Sequence, residues 1–181
     1  MGRLLALALA KSGAQVELFD KGGPDGNNAA ARIAAAMLAP LAESAITEDS
    51  VVRMGLYSLP RWKKLISELS HPVYFQQDGT LILWHRQDAS EAERFVTHLE
   101  KNCLSNLSLS APQKLNNNAL RNLEPGVADR FNQGLYLPNE GQLDNRQLLD
   151  ALVTELKRSK VNCHWHTETD PQTLRNHSNY E

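Results

Sequence analysis

Residues 2–20 constrain this chain more than any other stretch. Gly2 opens an apolar run from Leu4 to Ala10, Lys11-Ser12-Gly13 closes it, and Val16-Glu17-Leu18-Phe19-Asp20 follows. The order is glycine, helix, glycine stop, short apolar strand, acidic residue, as in the second half of a Rossmann βαβ unit. Gly2 stands for the last glycine of G-x-G-x-x-G. Asp20 falls near the ~20-residue spacing at which a carboxylate reaches the ribose hydroxyls of a dinucleotide. Gly13 can take the left-handed conformation that ends a helix, and Val16 to Phe19 suits a parallel strand covered on both faces. On this pattern the first strand and the first two glycines are expected ahead of Met1.

Plainer readings compete for the opening. Met1-Gly2-Arg3 before an apolar core, with Ser12-Gly13-Ala14 behind it, imitates a secretory signal, and a buried helix without any nucleotide role is a second alternative. The continuation into Asp20 favours the nucleotide reading over both. For Asp20 itself, capping a turn is the alternative to holding a ribose.

The 181 residues include 41% hydrophobic and 22% charged side chains, a globular balance. A formal net charge of −2 makes no electrostatic case for nucleic acid or an anionic membrane. No apolar run approaches the ~20 residues of a membrane span. Cys103 and Cys163 form no disulfide framework and suit a reducing cytoplasm. His164 and His166 share one face of a predicted strand but lack the further ligands that zinc requires, so no metal is expected.

Between residues 21 and 28 glycine, proline and asparagine dictate a loop. The alanine-dense stretch 29–40 reads most plainly as a packing helix, although its small side chains would also let the backbone approach a flat ligand. Residues 47–69 are expected to be helical, with Thr47 as N-cap and Pro60 kinking the element or starting a second helix. Asp78-Gly79 between 73–76 and 80–84 predicts a β-hairpin. Asp88 with Glu91 predicts a capped helix to about Asn102. Further expectations are a short helix over 116–123, a strand over 134–138, a helix capped by a box of Asp144 with Gln147 and running to about Lys160, and a last strand over 161–166.

Three stretches taken together resemble the FAD-dependent amine oxidases of the D-amino acid oxidase family, and within it the glycine oxidases of thiamine biosynthesis. The first is Gly2 to Asp20 with Lys21. The second is Ala34-Ala35-Ala36-Met37-Leu38-Ala39-Pro40-Leu41-Ala42-Glu43, similar to the family's small-small-Gly-Met-Leu-Ala-Pro segment along the flavin. The third is Leu123-Glu124-Pro125 with Gly134-Leu135-Tyr136-Leu137-Pro138-Asn139-Glu140-Gly141-Gln142-Leu143-Asp144. The resemblance runs to about Thr169. It implies FAD as cofactor, with Gly2, Asp20, Lys21, Ala30, Ala31, Ala35, Ala36, Met37 and Thr169 as cofactor-binding positions. Ala36 stands where the family usually has glycine, and Ala30 and Ala31 where relatives often offer hydroxyls.

The implied fold is α/β: a partial Rossmann-like FAD-binding domain with an inserted mixed-sheet α+β substrate domain. The linear division expected is 1–46 for the flavin portion, 47–160 for the substrate portion and 161–181 for a returning strand and tail. The family's first strand is expected at the sheet centre, between strands from both halves of the chain. The implied activity is oxidation of glycine or a small D-amino or secondary amine to the imine that feeds thiazole formation. Another D-amino acid or sarcosine oxidase or dehydrogenase is the enzymatic alternative, and a non-catalytic binding module is the other. The substrate partner is a small amino acid, and the longer parent is a candidate homo-oligomer. Family members are considerably longer, so this chain alone is expected to be poorly stable, to hold FAD weakly and not to turn over. No catalytic residue can be carried over, because Arg32, Arg53, Arg121 and Arg146 match no carboxylate-binding motif.

Overall fold

The computed structural model describes residues 1–170. The chain divides into two compact units, one built from 1–36, 65–74 and 144 onward, the other from 37–64 and 75–143. The linear division is therefore redrawn. Residues 37–46 belong with the second unit, and the helix after Asp144 belongs with the first.

The first unit begins with α1 (Gly2–Lys11) and β1 (Glu17–Asp20). Gly13, at φ 94°, ends α1 as expected: its amide donates to the Ala10 carbonyl and that of Ala14 to the Leu9 carbonyl. That is the paired Schellman pattern. Of residues 29–39 only Ala30–Ile33 is helical (α2), and residues 34–36 beyond it belong to neither helix nor strand. Helix α8 (Asn145–Arg158) starts where Asp144 Oδ1 accepts the amides of Arg146 and Gln147, both at 2.9 Å. Gln147 does not complete the capping box. Its side-chain oxygen accepts the Tyr74 amide instead. Strand β8 (Asn162–Trp165) lies parallel to β1, with Glu17 opposite Asn162 and Asp20 opposite Trp165. The two strands hydrogen-bond directly, so the expected strand between them has no place there. Ala6 and Leu7 of α1 are buried, as are Leu148, Leu152 and Leu156 of α8.

The second unit holds β2 (Met37–Leu38), α3 (Pro40–Glu43), α4 (Asp49–Ser67, whose last turn falls in the first unit), β3 (Phe75–Gln76) and β4 (Thr80–Leu83). It continues with α5 (Ala89–Ser105), β5 (Gln113–Asn116), α6 (Asn117–Leu123), α7 (Pro125–Ala128), β6 (Gln133–Leu137) and β7 (Gly141–Leu143). Pro60 lies inside α4, which neither stops nor restarts there, and Thr47 Oγ1 turns back to the Glu43 carbonyl. A 3₁₀ turn over Arg86–Asp88 leads into α5, and no side chain caps that helix.

The expected hairpin is not formed. β3 pairs with β7 and β4 with β6, both antiparallel, giving the orders β2-β7-β3 and β4-β6-β5. Asp78-Gly79 instead turns the chain from one sheet to the other, alongside the Asn139-Glu140 turn that does the same between β6 and β7. The Gly79 amide donates to the Glu140 carbonyl at 2.9 Å, and a Cβ on Gly79 would lie 2.3 Å from the Tyr136 ring. β3 and β4 thus each find a partner other than one another, a tertiary preference invisible to turn statistics. Leu41, Val52, Val96, Leu99, Leu109, Leu135 and Leu137 form the core.

Candidate cofactor site

The first unit concentrates eight of the nine nominated positions, with Met37 alone in the second. β1 ends on Asp20, and α1 begins beside it: a Cβ on Gly2 would sit 3.6 Å from Leu18 Cδ1. No side chain caps the start of α1, and no acidic residue lies in its first turn. The amides of Leu4 and Leu5 donate to the Met1 carbonyl, which leaves those of Gly2 and Arg3 at the positive end of the helix dipole, beside Leu18 of β1. Such an end favours an anion.

Asp20 keeps both of its sequence readings alive. Oδ1 accepts the Gly22 amide at 2.8 Å, capping the turn, while the residue remains only partly buried. The turn is tied to β8, because the amides of His166 and Thr167 donate to the carbonyls of Gly22 and Asp20. Lys21 is exposed.

Arg3 is the residue that sequence reasoning missed. It is 8% exposed, Nη1 donates to the Leu149 carbonyl at 3.1 Å, and the guanidinium lies 5.1 Å from the Trp165 ring centre. Burial lowers its pKa from the ordinary arginine value, while Asp20, Asp150 and Asp25 pull the other way. Arginine stays charged under such shifts. The legible signal was a cation set directly after Gly2 in an otherwise apolar helix.

The alanine positions are held by side chains from α8. Asn145 Nδ2 donates to the carbonyls of Ala31 and Ala34, the latter at 2.7 Å, and leaves the methyls of Ala30, Ala31 and Ala35 exposed. Ala36 has φ 55°. That is the left-handed region, which glycine enters freely and alanine only with strain. Met37 on β2 is 52% exposed. Thr169 follows β8 and is half-buried. The second unit also carries an open cleft of about 570 Å³ lined by Trp84, His85, Phe95 and Phe131, which none of the nominated residues borders.

The profile of the family described as FAD dependent oxidoreductase matches residues 1–174. The chain belongs to this family. It is 29% identical over 160 residues to a protein of Rhizobium etli provisionally named the thiamine biosynthesis oxidoreductase ThiO, covering 88% of this chain and 44% of that one. A glycine oxidase from Geobacillus kaustophilus superposes with a TM-score of 0.74 at 23% identity, over 92% of this chain and 44% of that one. A glycine oxidase from Bacillus cereus gives 0.73 at 18% identity, with the same coverages. The chain thus spans a little under half the length of these relatives, and the solved structures speak for its fold: the α/β architecture of FAD-dependent oxidases.

Family membership gives the site a group to be tested against. The uncapped start of α1 suits a pyrophosphate, the Asp20 carboxylate at the end of β1 suits a ribose, and Ala36 has a left-handed backbone at a position where the resemblance implies glycine. The residues present fit a flavin dinucleotide. Among the described residues there is no grouping of histidine, cysteine and acidic side chains of the kind that holds a metal ion, and no helix is long and apolar enough to cross a membrane.

Proposed function

We propose that the protein acts as an FAD-dependent amine oxidase on glycine or another small D-amino or secondary amine, releasing an imine destined for thiazole formation in thiamine synthesis. The observation that carries this reading is the junction of an uncapped α1 with the carboxyl end of β1 at Asp20, in a chain of the FAD dependent oxidoreductase family. Gly2 and the α1 amides would receive the pyrophosphate, Asp20 the ribose, and Ala35, Ala36 and Met37 would lie along the ring system. Lys21, Ala30, Ala31 and Thr169 complete the proposed contacts. Bound flavin supplies an acceptor for the substrate hydride, and the protein's part is to bind, orient and exclude water. The names of the relatives support glycine as substrate and thiamine synthesis as context. A small amino acid is the proposed partner, and neither nucleic acid nor membrane enters the reading.

A second reading, a binding module without turnover, is favoured by the strain at Ala36 and by the engagement of Asp20 Oδ1 with Gly22. One experiment separates the two. FAD is titrated into the purified protein and its fluorescence followed, then glycine, sarcosine and a D-amino acid are added anaerobically. Saturable quenching followed by bleaching with glycine selects the amine oxidase. Quenching without bleaching by any amine selects the binding module. A folded protein that leaves FAD fluorescence unchanged overturns both. Re-oxidation by oxygen after bleaching then distinguishes an oxidase from a dehydrogenase.

A further inference from the structure

Strand β2 is too short to hold itself. Its two residues pair only with Gly141 and Gln142 of β7, and a pairing of that length is marginal without further anchoring. The anchor lies one residue before β7. Glu140 is 1% exposed, and its Oε1 accepts the Ala42 amide at 2.8 Å. The nearby Leu41 amide and Thr80 hydroxyl also favour the ionised form of this carboxyl. Oε2 is buried without a hydrogen-bond partner. The backbone around it has no slack, since a Cβ on Gly141 would lie 2.6 Å from the Gln76 carbonyl oxygen. A carboxyl this deep, reaching across 98 residues of sequence to an amide just beyond β2, does more than fill space.

We propose that Glu140 is a positioning residue: its carboxyl, held in the β6–β7 turn, latches the amide of Ala42 and so fixes β2, with Met37, against β7. The flavin-facing part of this inference rests on the proposed function, which puts Met37 beside the ring. The latch works as the neutral acid. Ionised, the carboxyl would leave a charged oxygen buried without a partner, a costly arrangement. Burial raises its pKa above the ordinary carboxylate value, the Glu43 carboxylate on α3 adds to the rise, and the Ala42 and Leu41 amides and the Thr80 hydroxyl oppose it. The sign follows. A group whose folded pKa is raised contributes stability that is complete below its unfolded pKa and lost as pH rises through the folded one.

The test uses Glu140→Gln and Glu140→Ala in the full chain, reading amide exchange and FAD affinity between about pH 5 and about pH 9, a window that spans documented buried carboxyls. In the unsubstituted protein, protection of the Ala42 and β2 amides should fall with rising pH. Glu140→Gln should abolish that pH dependence and keep FAD affinity within about twofold, since a neutral acceptor remains. Glu140→Ala should lower the protection of Ala42 and the FAD affinity by about tenfold each, as expected for a lost buried hydrogen bond. The β6 amides serve as reference and should change less. Ala42 exchange that ignores Glu140→Ala, or a pH dependence that survives in Glu140→Gln, overturns the latch. Absence of flavin binding in every variant, with Ala42 exchange still governed by Glu140, overturns the flavin-facing role and the proposed function while the latch stands.

Discussion

In the second unit, β6 has β4 on one side and β5 on the other, all antiparallel, and Leu135 and Leu137 on it are completely buried. In the first unit, β1 and β8 have only each other among the described residues, run parallel, and expose Leu5 and Leu9 on the neighbouring α1. Antiparallel neighbours can be tied by short turns, whereas parallel strands need a long crossover and cover on both faces. Backbone strain is distributed the same way. Three non-glycine residues with left-handed φ, Ala36, Lys160 and His166, lie in the first unit, against Asn139 in the second. Asparagine tolerates that region better than the others. The unit with the stronger framework is thus not the one that concentrates the candidate cofactor positions. Ligand-binding segments are commonly drawn from the less stable parts of a protein.

The largest test of this contrast is Leu135→Ala. The side chain is fully buried on the central strand, so truncation should cost about 2–5 kcal/mol. In the unsubstituted protein the β6 amides should exchange far more slowly than those of β8, and Leu135→Ala should bring the β6 rates toward the β8 rates without altering the latter. If β6 and β8 amides exchange alike before the substitution and accelerate together after it, the two units unfold as one and the contrast fails.

The same contrast decides what could be read from the sequence. The elements of the first unit were legible because local chemistry dictates them: Gly13 ends α1, Asp144 starts α8, and the apolar run before Asp20 makes β1. What sequence missed there was the neighbour of β1, because parallel pairing leaves no local trace. In the second unit, Asp78-Gly79 is a sound turn signal, and the turn exists, yet Tyr136 and the Glu140 carbonyl decide which strands it separates. The candidate site was legible at Gly2 and Asp20 through spacing, and at Ala36 and Met37 only through resemblance. Arg3 and Glu140 escaped, since burial of a charged residue depends on partners far along the chain.

Strain at Ala36 supplies the second test. Ala36→Gly removes the steric penalty of the left-handed region but adds freedom to the unfolded chain, so a gain of up to about 1 kcal/mol is expected. Asn139→Gly, at φ 66° in the second unit, should bring a smaller gain or a loss, because the Asn139 side chain also donates to Ser110 Oγ at 2.6 Å. Urea midpoints for the two variants measure the difference. An Ala36→Gly protein no more stable than the parent would mean that the first unit does not carry this strain.

The smallest effect separates the units by the sign of their response to acid. Glu17 at the start of β1 accepts the Asn162 side-chain amide at 2.8 Å and pairs with His164, both on β8. The bond to His164 and then that to Asn162 hold the Glu17 pKa below its ordinary value. A carboxyl with a lowered folded pKa contributes stability above its unfolded pKa and loses it as pH falls through the folded one. The β1–β8 pair should therefore loosen on acidification, while the segment held by Glu140 tightens. Because the Glu17 pair is at the surface, its effect should be small and weakened by salt. Exchange rates of the β8 amides, followed from about pH 6 to about pH 3, should show an acid-side rise that Glu17→Gln removes. If that rise persists in Glu17→Gln, the cross-strand pair is not what makes β8 sensitive to acid, and the opposed responses of the two units need another cause.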